Sequence, residues 1–280
     1  MNSLDDYMNG FSLLTLNTWK CDGDYLARLP LMAQGIRQLA PDVVFLQEAF
    51  SAPGLNFDTA EYIAENAGYE VARAPARRKV RVCEDQRVES TSDLVILTRD
   101  PVIFRNVVSL PSHPDDSGRI ALIVDVETAL GPVGFVNVHL THMPECNGLR
   151  RQQFEAAVAH LSTGTDVIVA GDFNCTREVL PATGELVKGF HIYQSTADGP
   201  HQLCGGTLNP VCDCASGPQA RVKDQAIDHL FILRSGDGRD GRDGMSLTGV
   251  KTVLNTADPS TGIYASDHAG IFVKISKFSK

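Results

Sequence analysis

The sequence predicts a mixed α/β (α+β) domain, and three observations carry the prediction. Segments with strand-like apolar runs are interleaved with segments whose apolar residues recur at helical spacing. The chain opens on a β-α-β pattern formed by Phe11–Thr18, Tyr25–Leu39 and Val43–Glu48. Near its middle the run Val167, Ile168, Val169 stops at Ala170-Gly171 and is followed at once by Asp172 and Asn174. That is how a buried strand delivers two polar groups to the end of a sheet. At 280 residues the chain reads as one domain over 1–280, because α/β folds of this size are often single units with a large core.

The first strand, Phe11–Thr18, alternates apolar and small polar residues and ends near Asn17. Leu26, Leu29, Met32, Ile36 and Leu39 then give a helix, which Ala40-Pro41-Asp42 stops. The second strand, Val43–Leu46, ends abruptly on Gln47 and Glu48. A second helix spans Asp58–Gly68, with Ala60, Ile63, Ala64 and Ala67 on one side. Arg73, Arg77, Arg78, Lys79 and Arg81 make the one concentrated basic run, read as a solvated loop or edge strand, or else as a phosphate-facing patch.

Leu94–Leu97 is a strand, and a Pro/Asp/Ser loop covers Pro111–Gly118. Ile120–Val126 and Val133–His139 are two more strands with Gly131-Pro132 as their turn. Arg150–Leu161 is helical and leads into the central strand. Gly199–Arg221 is irregular, and Ala226–Leu233 is a strand carrying Asp228 in mid-run. The repeated Gly-Asp-Gly-Arg of Arg234–Gly244 reads as a solvent loop, and Ala269–Ile275 closes the chain after Ser266-Asp267-His268.

Composition excludes several classes. No apolar run approaches the ~18 residues of a membrane span, so no transmembrane segment is expected. The acidic start, Met1-Asn2-Ser3-Leu4-Asp5-Asp6, lacks the apolar stretch of a secretory signal. Seven scattered cysteines in a chain of this size read as reduced thiols, which predicts a cytoplasmic protein. Cys204, Cys212 and Cys214 lack the paired Cys-x-x-Cys spacing of a structural zinc site. A net charge of −9 argues against broad electrostatic capture of nucleic acid but leaves room for a locally basic cleft. Nothing in the sequence identifies a protein partner.

Six strand ends offer Asn17, Glu48, His139, Asp172 with Asn174, Asp228, and Asp267 with His268. Any one of them reads as a cap, a turn or a satisfied core polar group. Together, hard oxygen ligands with neutral amides and imidazoles are what a Mg²⁺ site acting on a phosphate needs.

The pieces Leu16-Asn17-Thr18-Trp19, Leu46-Gln47-Glu48, Val138-His139-Leu140, Gly171-Asp172-Phe173-Asn174, Ile227-Asp228-His229 and Ser266-Asp267-His268 resemble the endonuclease/exonuclease/phosphatase superfamily. They stand in that family's order and span nearly the whole chain. The resemblance implies a two-sheet α/β sandwich of the deoxyribonuclease I type with its site at one edge. It implies a Mg²⁺-dependent phosphodiesterase, with Mn²⁺ as a substitute ion, in which water attacks phosphorus in line. Glu48, Asn17 and Asp267 would bind the metal. Asp172 would orient or deprotonate the water, and Asn174 would donate to the phosphate. His268 would contact a phosphate oxygen with Asp228 holding its ring. His139 would stabilise the phosphate or protonate the leaving oxygen, with His142 as a substitute.

Substrate is where the chain departs from particular branches. Gln225-Ala226 stand where an Arg commonly precedes the Ile-Asp strand, and Trp19 is the only Trp, which argues against abasic-site repair. Gly205–Pro210 and His139–Arg150 are loosely similar to neutral sphingomyelinases. Nucleic acid and a phospholipid head group are therefore close competitors as the phosphate-ester substrate. A phosphomonoesterase of small phosphates and an inactive binding module are the alternatives. Only the loops Pro53–Asp58, Arg73–Glu89 and His201–Lys223 could separate a monoesterase from a diesterase.

Overall fold

The computed structural model describes residues 10–161, 165–203, 205–211, 225–235 and 244–278. In chain order the elements are β1 (Gly10–Asn17), α1 (Tyr25–Leu39), β2 (Val43–Ala52), β3 (Phe57–Asp58), α2 (Thr59–Ala67), β4 (Glu70–Ala74), β5 (Lys79–Cys83), β6 (Gln86–Thr98), β7 (Val102–Ser109), β8 (Ile120–Thr128), β9 (Gly131–His139), α3 (Asn147–Val158), β10 (Val167–Asp172), β11 (Leu186–Val187), β12 (Phe190–Ser195), β13 (Asp228–Ser235), β14 (Gly244–Val253) and β15 (Gly270–Phe278).

These strands form two sheets. One runs β14-β15-β1-β2-β6-β4, with β3 paired to β2 and β5 to β6; the other runs β11-β12-β13-β10-β9-β8-β7. The opening β-α-β unit has the parallel pairing its sequence predicts, Leu13 against Val43 through Asn17 against Gln47. A second parallel pair, β9 with β10, sets Asp172 beside His139.

The sheets pack face to face through Leu13, Phe45, Ile96, Phe135, Ile168, Leu230 and Val273. Helices α1 and α2 cover the far face of the first sheet through Met32, Ile36 and Ile63 against Leu14, Val44 and Val95. Helix α3 covers the second, with Phe154 and Val158 against Val136, Val169 and Phe231. Each central strand is thus buried on both faces, which is why Val43–Leu46 and Val167–Ala170 read as unbroken apolar runs.

One polar bridge crosses the apolar layer. Gln47 Nε2 donates to Asn137 Oδ1 at 2.8 Å, and Asn137 Nδ2 donates to the carbonyls of Leu46 at 2.9 Å and Val95 at 2.8 Å. Every member is satisfied, so the bridge fixes how the sheets sit on one another instead of leaving an unpaired buried amide.

Several expectations are corrected. Asp228 is the first residue of β13, not a mid-strand acid, because the backbone amides of Ile227 and Asp228 donate to Thr207 Oγ1 instead of to a strand neighbour. The β8–β9 turn is Ala129-Leu130, since Pro132 already pairs with Glu127. β2 continues past Glu48 to Ala52 through a bulge, and α3 begins at Asn147, three residues before the position its spacing predicts. The basic run is split: Arg73 lies in β4 and Lys79 with Arg81 in β5. Cys204, Cys212 and Cys214, the acidic start and most of the Gly-Asp-Gly-Arg repeat lie outside the described residues; Cys21, Cys83, Cys146 and Cys175 are free thiols.

Candidate active site

Asn17, His139, Asp172 and Asp228 meet at one edge of the sandwich because β1, β9 and β10 terminate there and the antiparallel β13 starts there, while Glu48 reaches the cleft from the bulge within β2 and His268 from the segment before β15. Asp172 is the hub. Its Oδ2 accepts from Asn17 Nδ2 at 2.9 Å, lies 3.5 Å from His139 Nε2 and 3.9 Å from His268 Nε2, and its Oδ1 accepts from the Asn174 amide at 2.8 Å.

Local backbone aims these groups. Gly171 has φ +147°, and a Cβ there would run into the backbone of Val138 on the neighbouring strand. Only glycine combines that conformation with so close an approach. Asn174 adopts φ +50° and donates its Nδ2 to the Leu140 carbonyl at 3.0 Å. Glu48 sits at φ +54° on the β2 bulge, which turns its carboxylate into the cleft.

The buried Arg28 of α1 holds the loop after β1. Its guanidinium donates to the carbonyls of Thr18, Trp19, Lys20 and Asp22 and, at 3.0 Å, to that of Ala265, and it stacks 4.7 Å from the Trp19 ring. The loop carrying Asn17 is thereby tied to the segment carrying Asp267 and His268. Leu29 and Met32 on the same helix signalled only packing, so neither spacing nor motif marked Arg28 as part of this assembly.

Electrostatics separate the two histidines. Burial disfavours a charged His268, but Asp228 at 2.8 Å from Nδ1, with Asp267 and Asp172 nearby, outweighs it and brings the pKa up to about 10. Burial together with the charges of Arg119, Arg77 and Lys20 keeps His139 well below its usual value, so its ring is neutral. Burial and the Asp228 carboxylate raise the pKa of Asp172, against the pull of His268 and the Asn17 and Asn174 donors. Asp228 Oδ1 is buried with no hydrogen-bond partner among the described residues.

Asp172, Asp228 and His268 also place one ligand atom each within 4.8 Å of one another. In that trio His268 Nδ1 faces Asp228 Oδ2 at 2.8 Å and its Nε2 lies 3.9 Å from Asp172 Oδ2, so both ring nitrogens already meet a carboxylate. Glu48 suits a hard cation better. Its Oε2 already faces a positive group, the Lys20 ammonium at 2.9 Å, in a cleft that Asn17 and Asp172 also line. Asp267 sits beside His268, its Oδ1 4.0 Å from Nε2.

The cleft holds about 690 Å³ and is walled by Lys20, Asp22, Glu48, Arg77, Lys79, Arg81, Arg119, His139, His142, Asp172 and Asn174. Of the basic run, Arg77, Lys79 and Arg81 reach it. Arg73 instead makes a two-pronged pair with Asp58, and Arg78 lies with it in a separate pocket. Arg119 was not marked by the sequence. His142 contacts Arg119 at 2.9 Å and Asp116 at 3.3 Å, so it is His139 that reaches Asp172.

The model of the endonuclease/exonuclease/phosphatase family matches residues 14–268. The chain belongs to that family. Its members hydrolyse phosphate esters with a divalent metal ion, and this chain is a phosphoesterase of the same kind. Among solved structures, the family protein from Beutenbergia cavernae superposes with TM-score 0.68 at 21% identity over 96% of this chain and 72% of that one. TDP2 of D. rerio, in complex with a single-strand DNA product, gives TM-score 0.68 at 19% identity, covering 95% of this chain and 99% of that one. The human nocturnin catalytic domain with bound sulfate gives 0.67 at 15% identity, covering 96% and 94%. At these identities the structural likeness bears on the fold, a two-sheet α/β sandwich as predicted. No curated protein sequence matches the chain. No helix among the described residues is long and apolar enough to cross a membrane.

Proposed function

We propose that this family member is a Mg²⁺-dependent phosphodiesterase acting on nucleic acid, with a phospholipid head group as the competing substrate. The observation that carries the reading is the convergence of Asn17, His139, His268 and the Asn174 amide on the single carboxylate of Asp172. A carboxylate whose proton affinity is raised by burial is a better base toward water than an ordinary one. Three of its neighbours, His139, His268 and Asn174, are placed to donate to a phosphate. The ion would be held by Glu48, Asn17 and Asp267, and when bound it would polarise a phosphoryl oxygen.

In this reading Asp172 orients the attacking water and takes its proton. His268 is held as a cation by Asp228 and faces the charge that builds on the phosphate oxygens. His139, being neutral, serves as a hydrogen-bond donor to the phosphate, not as an imidazolium acid. The single-strand DNA product bound by the TDP2 neighbour supports a nucleic-acid substrate. The four described free thiols support a cytoplasmic site of action.

The test sets the purified protein, with Mg²⁺ and with chelator, against plasmid DNA, short RNA, sphingomyelin vesicles and a generic phosphodiester, with Asp172→Ala as control. Chelator-sensitive nicking or shortening of nucleic acid is expected. Release of phosphocholine alone would move the protein to the lipid branch, and equal activity in Asp172→Ala would sink the assignment.

A further inference from the structure

Four cations stand together on one wall of the cleft, with Asp116 in direct contact with two of them and the Glu48 and Asp22 carboxylates facing Arg81. Arg77, Lys79, Arg81 and Arg119 all line it, in a chain whose net charge is −9. The carboxylate paired with this group is Asp116. Its side chain is fully buried and is shared between Arg77 and Arg119 Nε, the latter at 2.9 Å, with Thr141 Oγ1 adding a third donor at 2.7 Å. Arg81 spends its guanidinium on Ser90 and on the Arg77 carbonyl. The Lys79 ammonium makes no hydrogen bond or ion pair among the described residues.

The like charges press on one another: Arg77, then burial and Arg81, lower the pKa of Lys79. Assembling such a cluster is unfavourable unless an anion offsets it. The cluster is also built to hold its shape. Arg119 is 3% exposed, and it ties the wall to the reacting strand by donating to the His139 carbonyl at 3.2 Å. Arg77 is fixed at φ +50° with its guanidinium on Asp116.

From this geometry we infer that Arg77, Lys79, Arg81 and Arg119 form a second phosphate subsite, which selects substrates carrying another phosphate next to the diester being cleaved. Lys79, exposed at the cleft, is the member that meets the phosphate as a point charge, and Arg77, Arg81 and Arg119, held by Asp116, Ser90 and backbone carbonyls, supply fixed positive charge behind it. A choline head group would bring a fixed cation to this wall, so the subsite disfavours phosphocholine substrates. The inference rests on the phosphodiesterase reading above. The second phosphate has two sources, a polynucleotide backbone or a small bisphosphate, which share one chemistry.

Binding to the metal-free Asp172→Asn protein separates the subsite from turnover. The probes are TpT against pTpTp, and inorganic phosphate against pyrophosphate, by calorimetry with each pair compared at the same series of ionic strengths. The added terminal phosphates are expected to tighten binding of pTpTp about 10-fold or more, with a steeper salt dependence. Arg77→Gln with Lys79→Gln should remove that gain, and Lys79→Gln alone, at a side chain with no ion pair among the described residues, should reduce it about threefold while the circular dichroism spectrum is unchanged. A gain with pTpTp alone assigns the subsite to a nucleic-acid backbone, and a gain with pyrophosphate alone assigns it to a small bisphosphate. Equal affinities within both probe pairs, or a gain that survives the double substitution, would overturn the subsite. Absence of diester hydrolysis by the wild type would instead overturn the reading on which it rests.

Discussion

Asn17 and Asp172 stand 155 positions apart in the chain, yet Asn17 Nδ2 donates to Asp172 Oδ2 at 2.9 Å across the junction of the two sheets. The reacting carboxylate is thereby held by a residue of the opposite sheet, and its orientation depends on how the halves dock.

Replacing Asp172 by Asn keeps the shape of the side chain and removes its capacity to take a proton. The turnover number should fall by about two decades or more while the substrate KM changes little. Steady-state kinetics beside a far-ultraviolet circular dichroism spectrum check this. Near-wild-type turnover would contradict the role given to Asp172.

The Asp228–His268 pair predicts a pH dependence. Because folding raises the His268 pKa from 6.5 to about 10, the folded state binds a proton that the unfolded chain releases above about 6.5. The pair's contribution is therefore complete below about pH 6.5 and is lost as pH rises toward 10. In Asp228→Asn the imidazole should titrate at markedly lower pH, and stability at neutral pH should drop by about 3–5 kcal/mol, since one buried charge loses its partner. Imidazole resonances followed against pH, with urea melts, read both effects.

Gly171→Ala adds one methyl group at φ +147°, against the backbone of Val138. Strands β9 and β10 would have to separate next to Asp172 and His139, the last pair in their register. A stability loss of about 3 kcal/mol or more is expected, with activity falling further than stability explains. Thermal melts paired with kinetics below the transition separate the two. A neutral outcome would mean that the glycine is dispensable.

Arg28→Lys keeps the charge but loses the planar fork that spans five carbonyls. The loop holding Asn17 should loosen, with stability falling by about 2 kcal/mol or more and activity falling as well. Denaturant midpoints and kinetics report this.

Much of this arrangement was legible in the sequence because two-sided burial writes itself as continuous apolar runs, as in Val43–Leu46 and Val167–Ala170. The strand ends Asn17, His139 and Asp172 were legible for the same reason: a run that stops on a polar residue marks a sheet edge. Strands β3, β7, β11, β12 and β14 were not expected, and β4 and β5 only as the edge-strand reading of the basic run. In β7, Ile103, Phe104 and Val107 are exposed, so an edge strand lacks the inward-outward alternation that would reveal it. Arg119 and Asp116 escaped notice because a buried ion pair three residues apart looks like any loop charge until the fold surrounds it. Arg28 escaped because a guanidinium bonded to carbonyls has no sequence partner to point to.

The Gln47–Asn137 bridge has a consequence for how activity and folding relate. A hydrogen bond that spans 90 positions and joins the two sheets forms only when both halves are present and docked. Phosphate-ester cleavage is then an all-or-none report on the assembled sandwich: a fragment carrying either sheet alone would lack half of its reacting groups, and recovery of catalysis during refolding would time the docking of the sheets, not the formation of either one.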